Sequence, residues 1–171
     1  VSVRQMMELT YNGREQLPEV TATGSTIGGT AITFHYGLTA EQAADENEWL
    51  NYVPAFTDAG THTVYYTASA VNHYSVYGSF EIKIKNASIT GVDAAGYTGI
   101  YDGQSHGIKI TLSGNAGDGE ILYGESEDNC TLTESPVYKN TGSYTVYYTV
   151  TKKNFDTISG SATVAITPAQ L

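Results

Sequence analysis

The chain has a single cysteine, Cys130, in 171 residues. No intrachain disulfide can form, which excludes a small scaffold held together by disulfides. Four prolines leave no Pro-rich linker. Only eight Lys and Arg stand against 18 acids, for a net charge of −10. Phosphate recognition needs a basic stripe, so this balance argues against nucleic acid and against an anionic membrane surface. No apolar run is long enough to span a bilayer. The chain opens at Val1 without a signal peptide, so a processed chain or a fragment is expected. What is abundant is tyrosine, at 14, and glycine, at 18. Tyr, Thr and Val suit a pleated surface, and Gly suits tight turns between short strands.

The segment 59–68, AGTHTVYYTA, returns at 141–150 as TGSYTVYYTV, 82 positions later. At that offset residues 54–88 show 12 identities in 35 positions, among them Pro54/Pro136, Gly60/Gly142, Asn72/Asn154 and Gly78/Gly160. Upstream the register drifts: Tyr36-Gly37 meets Tyr123-Gly124, and Tyr11-Asn12-Gly13 meets Tyr101-Asp102-Gly103. The order of landmarks is kept throughout, so two tandem copies are expected, 1–86 and 87–171. Each carries nine acids and four bases. The closing ITPAQL mirrors IKNASI at 84–89, which leads to the expectation of a further copy in a longer parent.

Within each copy the hydrophobic period is two. His62, Val64, Tyr66 and Ala68 share one face, and Tyr144, Val146, Tyr148 and Val150 repeat it. Turn signals (Asn12-Gly13, Gly28-Gly29, Asp102-Gly103, Asp118-Gly119) punctuate the strands. This pattern predicts an all-β fold, a β-sandwich of about seven strands per copy. The glycine-rich GNAGDG at 114–119 reads as a hairpin loop, since no helix pattern follows it. TAEQAADENEWL at 39–50 breaks the β pattern, and Thr39 with Gln42 forms a capping-box signature. A short helix over about 40–48 is expected as an insertion in the first copy.

DAGTHTV at 58–64 and NTGSYTV at 140–146 resemble the Asp-x-Gly-x-Tyr-x-Cys signature of immunoglobulin domains. The resemblance puts Tyr144 and His62 at the tyrosine-corner position, and Val146 and Val64 where the core cysteine would stand. Tyr101-Asp102-Gly103, Pro136 to Gly142, the TVYYTV strand, Asn154-Phe155, Gly160 and VAITPAQL together look like the YDG/YGX-type immunoglobulin-like tandem repeats of bacterial surface proteins. That resemblance covers all of copy two and most of copy one. Copy one departs in its helical insertion, in Asn12 for Asp and in His62 for Tyr. The resemblance implies two tandem immunoglobulin-like sandwiches in a secreted protein of the bacterial cell surface or cell wall. It implies a non-catalytic stalk or spacer, part of an adhesin, with neighbouring repeats of the same chain as partners.

No residue cluster announces a chemistry. His35, His62, His73 and His106 lack metal-binding spacing, and no metal or other cofactor is expected. His62 reads as a corner residue, His73 and His106 as turn residues and His35 as part of a strand. Asp45, Glu46 and Glu48, and likewise Glu125, Glu127 and Asp128, could meet calcium but lack a shaped loop motif, and a solvated face is the plainer expectation. Lys83, Lys109 and Lys139 are the lysines that an isopeptide cross-link would use, although alternation turns Lys83 and Lys109 outward. No catalytic motif is visible, so no enzyme is expected. The alternative function is a binding module for a host glycan, mucin or matrix protein. It would use the 39–53 insertion, with Trp49 and Tyr52 as stacking residues, although the plainer expectation is that Trp49 pins the insertion onto the sandwich.

Overall fold

A computed structural model describes all 171 residues, Val1–Leu171. The chain divides into two compact units, Val1–Ala87 and Ser88–Leu171.

In the first unit the strands are β1 (Ser2–Gln5), β2 (Leu9–Thr10), β3 (Val20–Thr23), β4 (Thr33–Gly37), β5 (Gly60–Ser69) and β6 (Val76–Lys85). One helix, α1 (Ala40–Ala44), lies between β4 and β5. After the junction strand β7 (Ala87–Ser88), the second unit contains β8 (Val92–Ala95), β9 (Tyr97–Ile100), β10 (Lys109–Leu112), β11 (Glu120–Gly124), β12 (Gly142–Thr151), β13 (Phe155–Asp156) and β14 (Ile158–Thr167).

Both units use one plan. A four-stranded sheet has the order β2-β6-β5-β4 in the first and β9-β14-β12-β11 in the second. Facing it is a two-stranded antiparallel sheet, β1-β3 or β8-β10. The opening strand first pairs in the small sheet and then crosses to the large one. There β2 runs parallel to β6, and β9 runs parallel to β14. This is an immunoglobulin-like β-sandwich, the core of which is filled by alternate residues of both sheets. Val64, Tyr66, Ala68, Phe80 and Ile82 form the first core, with Val3 and Val20 of the small sheet packed on it. Val146, Tyr148, Val150, Val164 and Ile166 form the second, together with Ile110 and Leu112.

The repeated residues have separate physical jobs. Gly60 and Gly142 start the long central strands at φ 135° and 155°, where a side chain is strained. Asn72 and Asn154 both take the left-handed conformation in the hairpin before the last strand. Gly78 and Gly160 lie opposite Tyr66 and Tyr148, and each ring lies where a Cβ on that glycine would stand.

About seven strands per copy agrees with the structure: six build the two facing sheets of each unit, and the short β13, paired with β7, adds a seventh to the second. The long connections before β5 and β12 make only isolated bridges, Tyr36 to Leu50, Gln16 to Phe56, Tyr123 to Leu132 and His106 to Tyr138. Pro54 and Pro136 stand two residues before Phe56 and Tyr138 and have no N–H to extend a ladder. Ser135 Oγ accepts the Ile108 amide at 3.0 Å, a place that a ladder carbonyl would otherwise fill. Two expectations need correction. The GNAGDG segment is not a hairpin loop. It holds a 3-10 turn, Gly114–Ala116, and carries the chain from β10 in the small sheet to β11 in the large one. Finally, α1 ends at Ala44, not 48. Asp45 leaves helical geometry at φ −95°, ψ 117°. Its carboxylate accepts from the Asn47 backbone amide at 2.9 Å and from the Asn47 side chain at 3.0 Å, so a turn replaces the helix.

Candidate functional site

The two copies differ most between β4 and β5. Fourteen positions separate the bridged Tyr36 and Leu50, whereas nine separate the equivalent Tyr123 and Leu132. The extra residues form α1 and its following turn. Thr39 Oγ1 accepts from the Gln42 amide at 3.2 Å, capping the helix. The Gln42 side chain then ties the insertion shut, accepting from Leu38 N at 2.8 Å and donating to Glu48 O at 3.2 Å. The buried Thr67 hydroxyl donates to Ala43 O at 2.5 Å and fastens α1 onto the outer face of β5. Gly37 permits this approach, because a Cβ there would stand 2.6 Å from Ala43 N.

Trp49, singled out by the sequence, is half-buried and stacked on His35, with ring centroids 3.7 Å apart and planes within 2°. One indole face is therefore occupied, and the ring holds the insertion against β4. Tyr52 is 62 % exposed, beyond the Leu50 bridge. No ring contact joins it to Trp49, whose stacking partner is His35.

A different group converges instead. Tyr65 and Tyr77 point outward from β5 and β6, bordering the Thr67 position that α1 covers. With Ala40, Ala43, Gly78 and Ser79 they line an open groove of about 270 Å³. The helix is one wall and the sheet is the floor. Tyr77 is 63 % exposed. Sequence reasoning missed Tyr77 and Ser79. The available signal was an asymmetry between the copies, since Ser159 stands where Tyr77 would be.

The corner residues lie beside their own turns. The Tyr144 hydroxyl donates to Asn140 O at 3.3 Å, and His62 Nε2 lies 2.8 Å from Asp58 O. Each ring is also stacked, Tyr144 on Tyr138 at 4.1 Å and His62 on Phe56 at 4.3 Å. Val64 and Val146 are wholly buried in the two cores.

The remaining candidates are engaged structurally or lie in solvent. Glu125 accepts from the Tyr138 hydroxyl at 2.9 Å; burial, reinforced by that carboxylate, pushes the phenol pKa up. Asp45 is taken by Asn47. No three His, Cys, Asp or Glu side chains converge as metal ligands would. Lys83 is 64 % exposed and 3.2 Å from Glu81, and Lys109 and Lys139 are also exposed, unlike the buried lysine that an isopeptide bond requires. His73 is an exposed turn residue, with Nδ1 2.8 Å from Val71 O. In the second unit His106 stacks on Tyr97 at 3.6 Å, and its Nε2 lies 3.0 Å and 3.1 Å from the two Asp102 oxygens. The Gln104 amide and His106 together hold the Asp102 carboxyl below its ordinary pKa. The first unit has Asn12 and Gln16 at these positions. Cys130 is half-buried, and burial raises its thiol pKa, which disfavours the nucleophilic thiolate.

No protein-family model matches the chain, and no curated protein sequence matches it. Among solved structures, it is similar to the human Desmocollin-1 ectodomain, at 8 % identity and a TM-score of 0.32 over 98 % of this chain and 36 % of that one. It is also similar to Protocadherin Gamma B2 extracellular cadherin domains 3–6, at 12 % identity and 0.35 over 98 % and 46 %. Drosophila OTK extracellular domains 3–5 align at 10 % identity and 0.30 over 96 % and 63 %. The chain thus spans about a third to under two thirds of the length of these proteins. The strand order above, rather than these likenesses, makes the chain a pair of immunoglobulin-like sandwiches.

Proposed function

We propose that this chain is a non-catalytic, extracellular repeat module, part of the stalk or spacer of a bacterial surface protein of the adhesin type. One observation carries the reading: the chain builds the same sandwich twice, with one strand order, one corner and one set of turn residues. Such reuse is what a repeated structural element needs, because every copy must make its own core and turns. Neighbouring repeats of the same chain are its first partners. Small-angle scattering tests the role. A stalk segment gives an elongated particle of constant length over a range of salt, and a folded-back pair would count against it.

A second reading, that the first unit also binds a host glycan or glycoprotein, is favoured by the insertion. A spacer needs no elaborated loop, yet α1 and Tyr77 build a groove for which the second unit has neither the helix nor the second tyrosine. Saturable binding of the chain to mucin or matrix glycoprotein tests this.

A further inference from the structure

Resting on that second reading, we propose that the groove between α1 and the β5–β6 face binds one ring of a neutral sugar, with Tyr77 as its platform and Ser79 as a polar contact. Four observations select this ligand class. First, Ala40, Ala43, Tyr65, Tyr66, Tyr77, Gly78 and Ser79 line the groove, and none carries a charge. An ionic ligand would find no counter-charge there, and the net charge of −10 opposes sialylated or sulfated glycans at longer range. Second, the lining is aromatic faces edged by hydroxyls. The C–H face of a pyranose packs on an aromatic plane, while Tyr and Ser hydroxyls both donate and accept toward its OH groups. Third, the floor is the side-chain face of one ladder, with Tyr65 opposite Ser79 and Thr67 opposite Tyr77. Peptide capture by strand addition engages a backbone edge and not such a face. Fourth, about 270 Å³ lies just below the roughly 300–1,000 Å³ of drug-sized ligand sites, so one ring is accommodated with the rest of the chain outside.

The test is saturation-transfer NMR and titration calorimetry of the whole chain. Probes are oligosaccharides of galactose, N-acetylglucosamine and mannose, with sialylated and sulfated counterparts. Saturable binding of a neutral sugar is expected, weakened at least about tenfold by Tyr77→Ala (roughly 1.4 kcal/mol) and within about threefold of wild type in Tyr77→Phe. Ser79→Asp brings an anion into the groove from an exposed position and is expected to weaken binding as well, which covers the case of a misfolded alanine variant. Preference for the anionic probes, or neutral binding indifferent to both Tyr77→Ala and Ser79→Asp, would overturn the proposal. Mucin binding that survives these substitutions removes the groove and leaves the binding-module reading standing. Binding of neither mucin nor any sugar removes both.

Discussion

Gly124→Ala adds one methyl group and is expected to be among the most damaging small substitutions in the second unit. A Cβ at Gly124 would stand 2.1 Å from Asn129 O, 2.9 Å from its carbonyl carbon and 3.1 Å from Cys130 Cα. All three are backbone atoms, so no rotamer change relieves the overlap. The loop must move as a body, and it leads into the Tyr123–Leu132 bridge, where Tyr123 N donates to Leu132 O at 2.7 Å and Thr131 N to Tyr123 O at 3.0 Å. Overpacking that forces backbone displacement costs about 1–3 kcal/mol, and loss of one of these hydrogen bonds adds about 1 kcal/mol. A total near 3 kcal/mol lowers Tm by roughly 12–24 °C for a unit of this size, at roughly 4–8 °C per kcal/mol. Gly117→Ala is the matched control. Gly117 already has helical φ and ψ of −54° and −22°, and its Cβ would meet nothing nearer than Gly114 O at 3.5 Å. There the same methyl reduces unfolded-chain entropy and is expected to raise stability by about 0.4–1 kcal/mol. Differential scanning calorimetry of both variants reads the contrast. A Gly124→Ala transition within about 1 kcal/mol of wild type would show that the loop yields freely and would refute close approach as the reason for the Tyr-Gly pair.

Val146→Ala, at a site with 0 % exposure, is expected to cost about 1.5–3 kcal/mol in urea unfolding, and Val64→Ala an equal amount in the first unit. Asp102→Asn retains the turn, as Asn12 does by accepting from Arg14 N at 2.9 Å, but loses the carboxylate that faces the Gln104 amide and His106 Nε2. Because the folded carboxyl is depressed below 3.8, its contribution is present above that pH and is lost as pH falls through the folded value. Melts from pH 7 to pH 2 should therefore show the wild-type advantage over Asp102→Asn narrowing only below about pH 4; a constant gap across this range contradicts the assignment. Cys130 is expected to react with iodoacetamide at pH 8 more slowly in the native chain than in urea, because burial disfavours its thiolate. Equal rates would place the thiol in solvent.

What could be read from the sequence, and what could not, divides along the range of the interactions involved. Alternation and turn chemistry are local, so β5, β6, β12 and β14 and their faces follow from Val64, Phe80, Val146 and Val164 without knowledge of the fold. The duplication adds information that a single copy lacks. Asn72 and Asn154 agree because a left-handed hairpin position tolerates few residues, and Gly78 and Gly160 agree because a tyrosine ring occupies the place of each side chain. Pairing that depends on long-range partners was not legible: the bridges of Phe56 and Tyr138 to Gln16 and His106 stop at one pair each. The helix end failed at Asp45, whose side chain competes for a backbone amide, an event set by loop geometry and not by periodicity. The surroundings of the candidate site were hidden for a related reason. Rarity drew attention to Trp49, yet an aromatic ring 14 residues from a histidine gives no sign that the two will stack. Nothing in the sequence set Tyr77 apart from the other 13 tyrosines. It acquires a wall only because Thr67, opposite it in the ladder, fastens α1 to the sheet. The difference between the copies marks the place more surely than residue rarity does: where a duplicated fold has diverged by an insertion on one sheet face, the side chains beside that insertion are the ones to test.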